Sequence, residues 1–233
     1  RHLLVYLGIM GPQDDVHVVL EVVSELVQVR GRSDVRAALL GFGDCLDDLR
    51  TRCTAMGLDD VVEFTGRVGP DQIADYLSAA SVGLCPDRKT PLNDLSTMNK
   101  TMEYMAYAVP AVSFDLVETR VSGGDTCVYV PSGDIAAMAD EVERLLDDTD
   151  ERVARSLAAR RRVATELDWR AQAEVYVGVF DDLTRRPSSR RAPAAPARVP
   201  GDTDAEGREY VPLDDEGLAR FVASRGGAPH ADV

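Results

Sequence analysis

Lysine and asparagine are nearly absent from this sequence, and every one that is present lies in a single twelve-residue segment. The segment holds Lys89, Asn93, Asn99 and Lys100. Elsewhere Arg carries the positive charge, and Asp, Ser and Thr supply the short polar side chains. Arg cannot replace a compact ammonium on a flexible stem, and Asp cannot donate hydrogen bonds as Asn does. The segment is therefore predicted to contain the functional site. The alternative is chance clustering in a turn.

Residues that commonly bind metals are also few and scattered. The cysteines show no CxxC spacing, and the histidines form no ligand cluster with them. This pattern indicates neither a zinc site nor a disulfide framework, and it favours free thiols in a reducing cytoplasm. We therefore expect no metal and no cofactor. The residues concerned are Cys45, Cys53, Cys85, Cys127, His2, His17 and His230.

Positive charge is in deficit, and long apolar runs are missing. The net charge of -14, with no basic face in the first 150 residues, argues against a nucleic-acid partner, because a phosphate backbone requires one. No run approaches the ~20 apolar residues that span a bilayer. The sequence therefore predicts a cytoplasmic protein. The Arg-rich residues 185–191 leave open a peripheral contact with anionic lipid at the inner face of the plasma membrane.

The 233 residues allow one substantial domain and an appendage. We assign the domain to residues 1–184. Residues 185–233 shift to Pro, Ala and Arg and then to Gly and Asp, which predicts a disordered tail. The chain enters an apolar strand at its first residues, so we expect the sequence to begin within a larger protein.

Apolar runs alternate with helical periodicity along the domain. Strands are predicted at residues 3–7, 35–40, 61–64, 82–85, 111–114 and 128–130, and helices near 15–30, 46–53, 70–77, 97–107, 135–147, 151–166 and 169–183. Apolar strands between amphipathic helices predict an α/β fold, a Rossmann-like doubly wound parallel sheet followed by C-terminal helices. Ligands of such sheets bind at the carboxyl ends of the strands. Trp169 is expected to be a core anchor.

The helix after the fourth strand carries the most informative side chains. Lys100 and Glu103 are three residues apart and so share a helix face. An anion at this helix start would meet free backbone amides around Asn99 and the ammonium of Lys100, which suits a diphosphate. The carboxylate of Glu103 fits the adjacent hydroxyls of a ribose. The alternative is a surface ion pair between Lys100 and Glu103, worth about 0.2–0.5 kcal/mol.

Other signals leave alternatives open. Asp94, Ser96 and Thr97 are suited equally to capping the helix and to contacting a ligand. Gly8 and Gly11 follow the first strand, and glycines at this place allow either a tight turn or a close approach of the backbone to a ligand.

Several segments together resemble one known family. They are YLGIMGPQD, ALLGFGD, VEFTGRV, GLCPDRKTPLNDLSTMNKTMEYMAYAVPAVSFDLVETRV and YVPSGD. Over residues 3–184 the sequence is similar to the carboxyl-terminal, donor-binding half of retaining GT-B glycosyltransferases of the family-four type. The resemblance implies transfer of a sugar from a nucleotide sugar, with retained anomeric configuration and no obligatory metal.

The resemblance also implies roles for individual residues. Glu103 matches the glutamate that holds the ribose, and Lys100 and the amides around Asn99 would face the diphosphate. Lys100 and Glu118, a glutamate of the next strand loop, are the catalytic candidates. The remaining candidates are Gly66, Arg67 and Val68 for the base, Gly8 and Gly11 for backbone contact with the nucleotide, and Asp94, Leu95, Ser96 and Thr97 for the donor sugar.

The loop after the first strand carries Gln13, Asp14 and Asp15 where the family usually places basic residues. Arg88 or Lys89 is therefore expected to contact the phosphates. The acceptor, a glycan or a lipid-linked glycoconjugate, would bind through an N-terminal lobe that is missing here. Two alternatives stay open: a nucleotide-sugar epimerase of the same architecture, and a catalytically inactive nucleotide-binding or scaffold module, which the acidic loop favours.

Overall fold

The structure is a computed structural model that describes residues 1–184. It contains a first compact unit, Arg1–Arg160, and a second unit that begins at Arg161. The predicted disorder of residues 185–233 and the Arg-rich stretch at 185–191 lie outside the described residues. The boundary that the sequence predicts at residue 184 stays a prediction.

The apolar runs of the first unit form one parallel sheet. Its strands are β1 (His2–Leu7), β2 (Val35–Leu40), β3 (Val62–Gly66), β4 (Val82–Cys85), β5 (Ala111–Phe114) and β6 (Val128–Val130). The order is β3-β2-β1-β4-β5-β6, and every neighbouring pair is parallel. The predicted Rossmann-like sheet is confirmed. The chain moves outward from β1 in one direction and restarts at β4 in the other, so the topological switch point lies between β1 and β4.

Helices connect the strands and follow the last of them. They are α1 (His17–Ser24), continued by a π-helical turn at Glu25–Val29, α2 (Leu46–Ala55), α3 (Pro70–Ala79), α4 (Asn99–Ala106), α5 (Val117–Gly123), α6 (Ile135–Asp147), α7 (Thr149–Glu166) and α8 (Trp169–Thr184). The sequence does not predict α5. Helix α7 crosses the boundary between the two units.

The core has one layer on each face of the sheet. On one face, α1, α2 and α6 bury residues such as Leu20, Leu49 and Val142 against the strands. On the other face, Leu77 of α3 and Tyr104 of α4 pack on Val5 and its neighbours. The strands β4 and β5 are buried along their whole length, and β1 and β2 are buried along most of theirs, which explains the continuous apolar runs of these strands. The edge strand β3 exposes Glu63.

Tyr104 fixes the position of α4 on the sheet. Its side chain is fully buried, and its hydroxyl accepts a hydrogen bond from the amide of Leu7 at 2.9 Å and lies 3.2 Å from the carbonyl oxygen of Leu84. Its ring covers Gly83, where a Cβ would come within 2.5 Å of the ring. These contacts join α4 to β1 and β4, so the first turn of α4 is held at the switch point.

In the second unit, Trp169 at the start of α8 differs from the sequence prediction. Trp169 is 65% exposed, and its ring packs on Tyr176 with a centroid distance of 5.8 Å. The expectation of a core anchor is therefore wrong, because the position lies on a helix with no buried residue. Across residues 1–184, no helix has both the length and the apolar character needed to cross a bilayer.

Candidate functional site

A cleft of about 380 Å³ lies at the carboxyl edge of the sheet. Residues 7–9 after β1, 40–42 after β2 and 67–68 after β3 form one side. Residues 97–100 and Glu103, at the start of α4, form the other, and Asp14 and Ile73 complete the wall. The cleft therefore lies where a doubly wound sheet places its ligands, beside the switch point between β1 and β4.

Lys100 lies in this wall, but its ammonium already has a partner. Nζ donates to both carboxylate oxygens of Asp87, at 2.7 and 2.9 Å. Asp87 is 1% exposed and Lys100 only 7%. Burial raises the pKa of Asp87, and the ammonium of Lys100 opposes that rise. The alternative of a surface pair between Lys100 and Glu103 is wrong, because the lysine side chain turns inward from the shared face.

Glu103 keeps its carboxylate on the cleft side. The side chain has contact with solvent, but the cleft walls displace part of its water, which raises the pKa of Glu103, while the ammonium of Lys100 lowers it. An ionised carboxylate with open lone pairs in a cleft can accept two hydrogen bonds from adjacent hydroxyls.

The start of α4 has no side-chain cap. Met98 is the N-cap residue, its backbone is extended, and no side chain accepts a hydrogen bond from the first turn. The capping role for Asp94, Ser96 and Thr97 on this helix is therefore wrong. Asn99 and Lys100 line the cleft at the start of α4, where the positive end of the helix dipole favours an anion.

Arg67 and Val68 form the far side of the cleft, just beyond β3. The guanidinium of Arg67 stacks on the ring of Phe42, 3.7 Å from the ring centroid. Gly66 turns the chain with a φ of +68°, a left-handed conformation that glycine adopts without strain. Gly66 itself does not line the cleft, so of the predicted base-binding turn only Arg67 and Val68 do.

The absence of a side chain at Gly8 leaves room for the side chain of Lys100. A Cβ at Gly8 would lie 3.3 Å from Cε of Lys100 and 3.0 Å from the hydroxyl oxygen of Tyr6, so a larger residue would push the lysine stem aside. Gly11 is outside the cleft wall, and its amide donates to the carboxylate of Asp14 at 2.9 Å. The nucleotide contact assigned to Gly11 stays a prediction.

Asn93 organises the loop between β4 and α4. It is 2% exposed, and its Nδ2 donates to the carbonyl oxygens of Gln13 and Arg88, both at 2.9 Å. Aspartate cannot make these donations. Asn93 therefore has a structural role, because its amide group joins the loop after β1 to the loop after β4.

The predicted donor-sugar residues lie in the loop before α4, at the outer edge of the cleft, which we call the rim. Asp94 accepts from the amide of Val117 at 2.9 Å, so it caps the start of α5, and Lys89 lies 3.3 Å from the same carboxylate. Thr97 lines the cleft and donates to Glu118 at 3.4 Å. Glu118 is therefore one hydrogen bond away from the cleft wall.

Four further candidates lie off the wall. Leu95 is 74% exposed, and the hydroxyl of Ser96 donates to the carbonyl oxygen of Leu92. Arg88 donates its amide to Asp15 at 3.1 Å, and its guanidinium lies 3.9 Å from the same side chain. Lys89 is 53% exposed and paired at the rim. The phosphate contacts assigned to Arg88 and Lys89 stay predictions.

Sequence reasoning missed Asp87 and Phe42. Asp87 directly follows β4 and a proline, a position at the ligand edge of the sheet that could have identified it. Its pairing with Lys100 depends on the fold of the loop between them, which the sequence pattern does not show. Phe42 lies between Gly41 and Gly43. These glycines predict a turn, and the pattern does not indicate that the aromatic side chain between them lines a cleft.

The described residues contain no group of three or more His, Cys, Asp or Glu side chains arranged to hold a metal ion. The expectation of metal-independent chemistry stays a prediction. The sheet order and the position of the cleft define a Rossmann-like α/β domain with a cleft at its switch point.

The chain matches the family model described as glycosyl transferases group 1 over residues 1–148, and it belongs to that family. It corresponds to the carboxyl-terminal half of a GT-B glycosyltransferase, as the resemblance of the sequence predicts.

Individual relatives agree with this assignment. The chain is 28% identical over 185 residues to alpha-D-kanosaminyltransferase of Streptomyces kanamyceticus, covering 78% of this chain and 46% of that protein. Its fold matches HepE of Anabaena, solved in complex with UDP, with a TM-score of 0.67 and 14% identity over 78% of this chain and 49% of that one. It also matches the C-terminal domain of LpcC, a glycosyl transferase group 1 family protein of Francisella tularensis, with a TM-score of 0.61 and 17% identity over 72% and 86%.

The chain spans between a third and a half of the length of the curated relatives it matches, with 46%, 33% and 43% of three of them covered.

Proposed function

We propose that this chain is the donor-binding half of a retaining glycosyltransferase and that it binds a nucleoside diphosphate sugar in the cleft. One observation carries the proposal: the ammonium of Lys100, the uncapped start of α4 and the carboxylate of Glu103 meet in one wall at the switch point. The diphosphate would lie against Lys100 and the amide of Asn99, and the ribose hydroxyls would donate to Glu103. The base would extend toward Arg67 and Val68.

The chemistry that this half supplies is stabilisation of the leaving group. In the transfer, the bond between the anomeric carbon and the diphosphate oxygen breaks, and an acceptor hydroxyl oxygen forms the new bond on the same face. The acceptor proton leaves with the diphosphate or solvent. Negative charge grows on the diphosphate as the bond breaks, and the ammonium of Lys100 and the α4 amides would stabilise it.

The donor sugar would occupy the rim beside Thr97 and Glu118. Their hydrogen bond supports a role for Glu118 in orienting the sugar close to the reacting carbon. The acceptor, a glycan or lipid-linked glycoconjugate, would be held by an N-terminal lobe outside these 233 residues. We also propose a cytoplasmic location, which the free thiols of Cys45, Cys53, Cys85 and Cys127 support.

Calorimetric titration of the 233-residue chain with UDP, GDP and ADP sugars tests this proposal. We expect one of the three to bind, and Glu103→Gln to weaken that binding roughly tenfold or more, because a neutral amide accepts more weakly from the ribose hydroxyls. Ser96→Ala serves as the matched control, since the Ser96 hydroxyl donates a hydrogen bond to the carbonyl oxygen of Leu92 and the residue does not line the cleft. A folded chain that binds none of the three nucleotide sugars would contradict the proposal.

A further inference from the structure

Asp87 is a buried carboxylate that contacts Lys100 in the cleft wall. The presence of a negative charge at this position has to be explained. Its negative charge lies next to the place proposed for a diphosphate, and like charges repel. Asp14, which lines the cleft, adds a second negative charge on the same side. Without a function, a buried ion pair at this position would be replaceable by apolar residues of similar volume at little cost.

The geometry of the pair explains the carboxylate. An ammonium has three N–H donors. Asp87 takes two of them, one on each oxygen, at 2.7 and 2.9 Å. Within the described residues, no other hydrogen bond from Nζ of Lys100 is present, so one donor is left for the cleft. The ring of Tyr6 lies 5.4 Å from Nζ, and Gly8 packs against the lysine stem.

We propose that Asp87 is a positioning residue that holds the ammonium of Lys100 in the cleft wall with one N–H directed toward the bound diphosphate. A lysine side chain has four rotatable bonds, and ordering it during binding costs entropy. Asp87 orders it beforehand, because both of its carboxylate oxygens hold the ammonium in place. This inference rests on the proposed function and adds to it a residue that acts through Lys100.

The variant Asp87→Asn separates positioning from simple charge. Removing a negative charge beside an anion site should by itself tighten diphosphate binding. If Asp87 positions Lys100, binding should instead weaken. We measure the affinities of UDP, GDP and ADP, each beside its own nucleoside, and follow whichever pair binds the wild-type chain most tightly.

We expect Asp87→Asn to weaken the diphosphate about tenfold and to leave the nucleoside within about twofold, since only the diphosphate reaches Lys100. In a Lys100→Met background no ammonium is left to position, so Asp87→Asn should not weaken diphosphate binding and should leave the nucleoside within about twofold. The positioning role is overturned if Asp87→Asn binds the diphosphate as tightly as the wild type, or if the same loss occurs in the Lys100→Met background. A wild-type chain that binds none of the diphosphates contradicts the proposed function itself, and the positioning role with it.

The composition of the chain offers a second measurement that needs no variant to fold. Lys89 and Lys100 are the two lysines of the sequence, so lysine labelled with ¹⁵N at Nζ gives two ammonium signals at most. Lys89 is 53% exposed and is the internal control. We expect a slowly exchanging signal from Lys100 in the free wild-type chain, shifted by the diphosphate but not by its nucleoside. A Lys100 ammonium that exchanges as fast as that of Lys89 would overturn the inference.

Discussion

At the scale of single residues, the buried pair of Lys100 and Asp87 dominates the candidate site. Both side chains are removed from water, and each is the hydrogen-bonding partner of the other. Such a pair adds little to stability as a unit, but the loss of one member leaves a buried charge without compensation. The stability of single and double variants can therefore show how the pair is balanced.

Lys100→Met should lower the free energy of unfolding by about 3–5 kcal/mol, because it strands the carboxylate of Asp87 in the core. The double variant Asp87→Leu with Lys100→Met should recover most of that loss, because no charge is then buried. Denaturant unfolding followed by circular dichroism measures both. A double variant as unstable as Lys100→Met would show that the pair itself, and not the stranded charge, stabilises the fold.

Glu103 should make nucleoside binding depend on pH. Only the ionised carboxylate accepts hydrogen bonds from both ribose hydroxyls, so affinity is present above the pKa of Glu103 in the folded chain and is lost as the pH falls through it. Desolvation raises that pKa above the ordinary value of 4.5, and the nearby Lys100 partly opposes the rise. The loss of affinity should therefore begin at a higher pH than for an ordinary glutamate.

Titrations with uridine, guanosine and adenosine at a series of pH values check this, because these nucleosides carry no phosphate that titrates in the same range. Glu103→Gln should bind weakly at every pH and show a flat profile, since the amide does not ionise. Circular dichroism at each pH verifies that the chain is folded. An identical pH profile for the wild type and Glu103→Gln would exclude Glu103 as the titrating group.

The sequence predicts Glu103 and Lys100 as cleft residues because helical spacing and a strand end are local patterns. It could not predict the partner of Lys100. Asp87 and Lys100 are thirteen residues apart, and which carboxylate the lysine meets depends on how the intervening loop folds. Contacts of this kind are set by tertiary packing, and no periodicity in the sequence reports them.

At the scale of elements, the loop between β4 and α4 depends on one amide side chain. Asn93 donates to two carbonyl oxygens on different segments, and a side chain without an N–H donor cannot supply these hydrogen bonds. The two asparagines of the chain allow a matched pair of substitutions, one at this buried position and one at the start of α4.

Asn93→Asp should lower the free energy of unfolding by more than about 2 kcal/mol, because a carboxylate cannot donate to the carbonyls of Gln13 and Arg88. Asn99→Asp should change it by no more than about 0.5 kcal/mol, because an exposed acid in the first turn of a helix is tolerated by the dipole. Thermal and denaturant unfolding measure both. Equal effects of the two substitutions would refute the structural role of Asn93.

Strand and helix positions were largely predictable where apolar residues are continuous or periodic. The predicted and observed bounds coincide for β2 (Val35–Leu40) and β4 (Val82–Cys85). Helix α5 was missed, because Val117 and Val121 are exposed and its seven residues therefore show no buried stripe. Its start is held by Asp94, a contact from another loop that local patterns do not contain.

At the scale of the whole molecule, the sheet of the first unit brings the candidate site together. The order of the strands brings the ends of β1, β2 and β3 and the start of α4 to one edge. The sequence predicts a doubly wound sheet because strands and helices alternate. It does not by itself predict which strands are neighbours, which the crossovers decide.

We expect the 233-residue chain to bind nucleotide but to transfer sugar at a rate indistinguishable from background. Acceptor binding is proposed to lie outside it, and leaving-group stabilisation without a positioned acceptor loses most of the rate. Incubation with radiolabelled UDP, GDP and ADP sugars, glycan acceptors and a no-protein control measures this. Turnover well above the control would show that this half binds the acceptor as well.

The most direct test of the central claim is a crystal structure of this chain with the nucleoside diphosphate that binds it most tightly. We predict diphosphate oxygens within 2.7–3.2 Å of Nζ of Lys100 and the amides at the start of α4, with both ribose hydroxyls at the carboxylate of Glu103. A nucleotide bound elsewhere on the chain, with Lys100 and Glu103 untouched, would contradict the account.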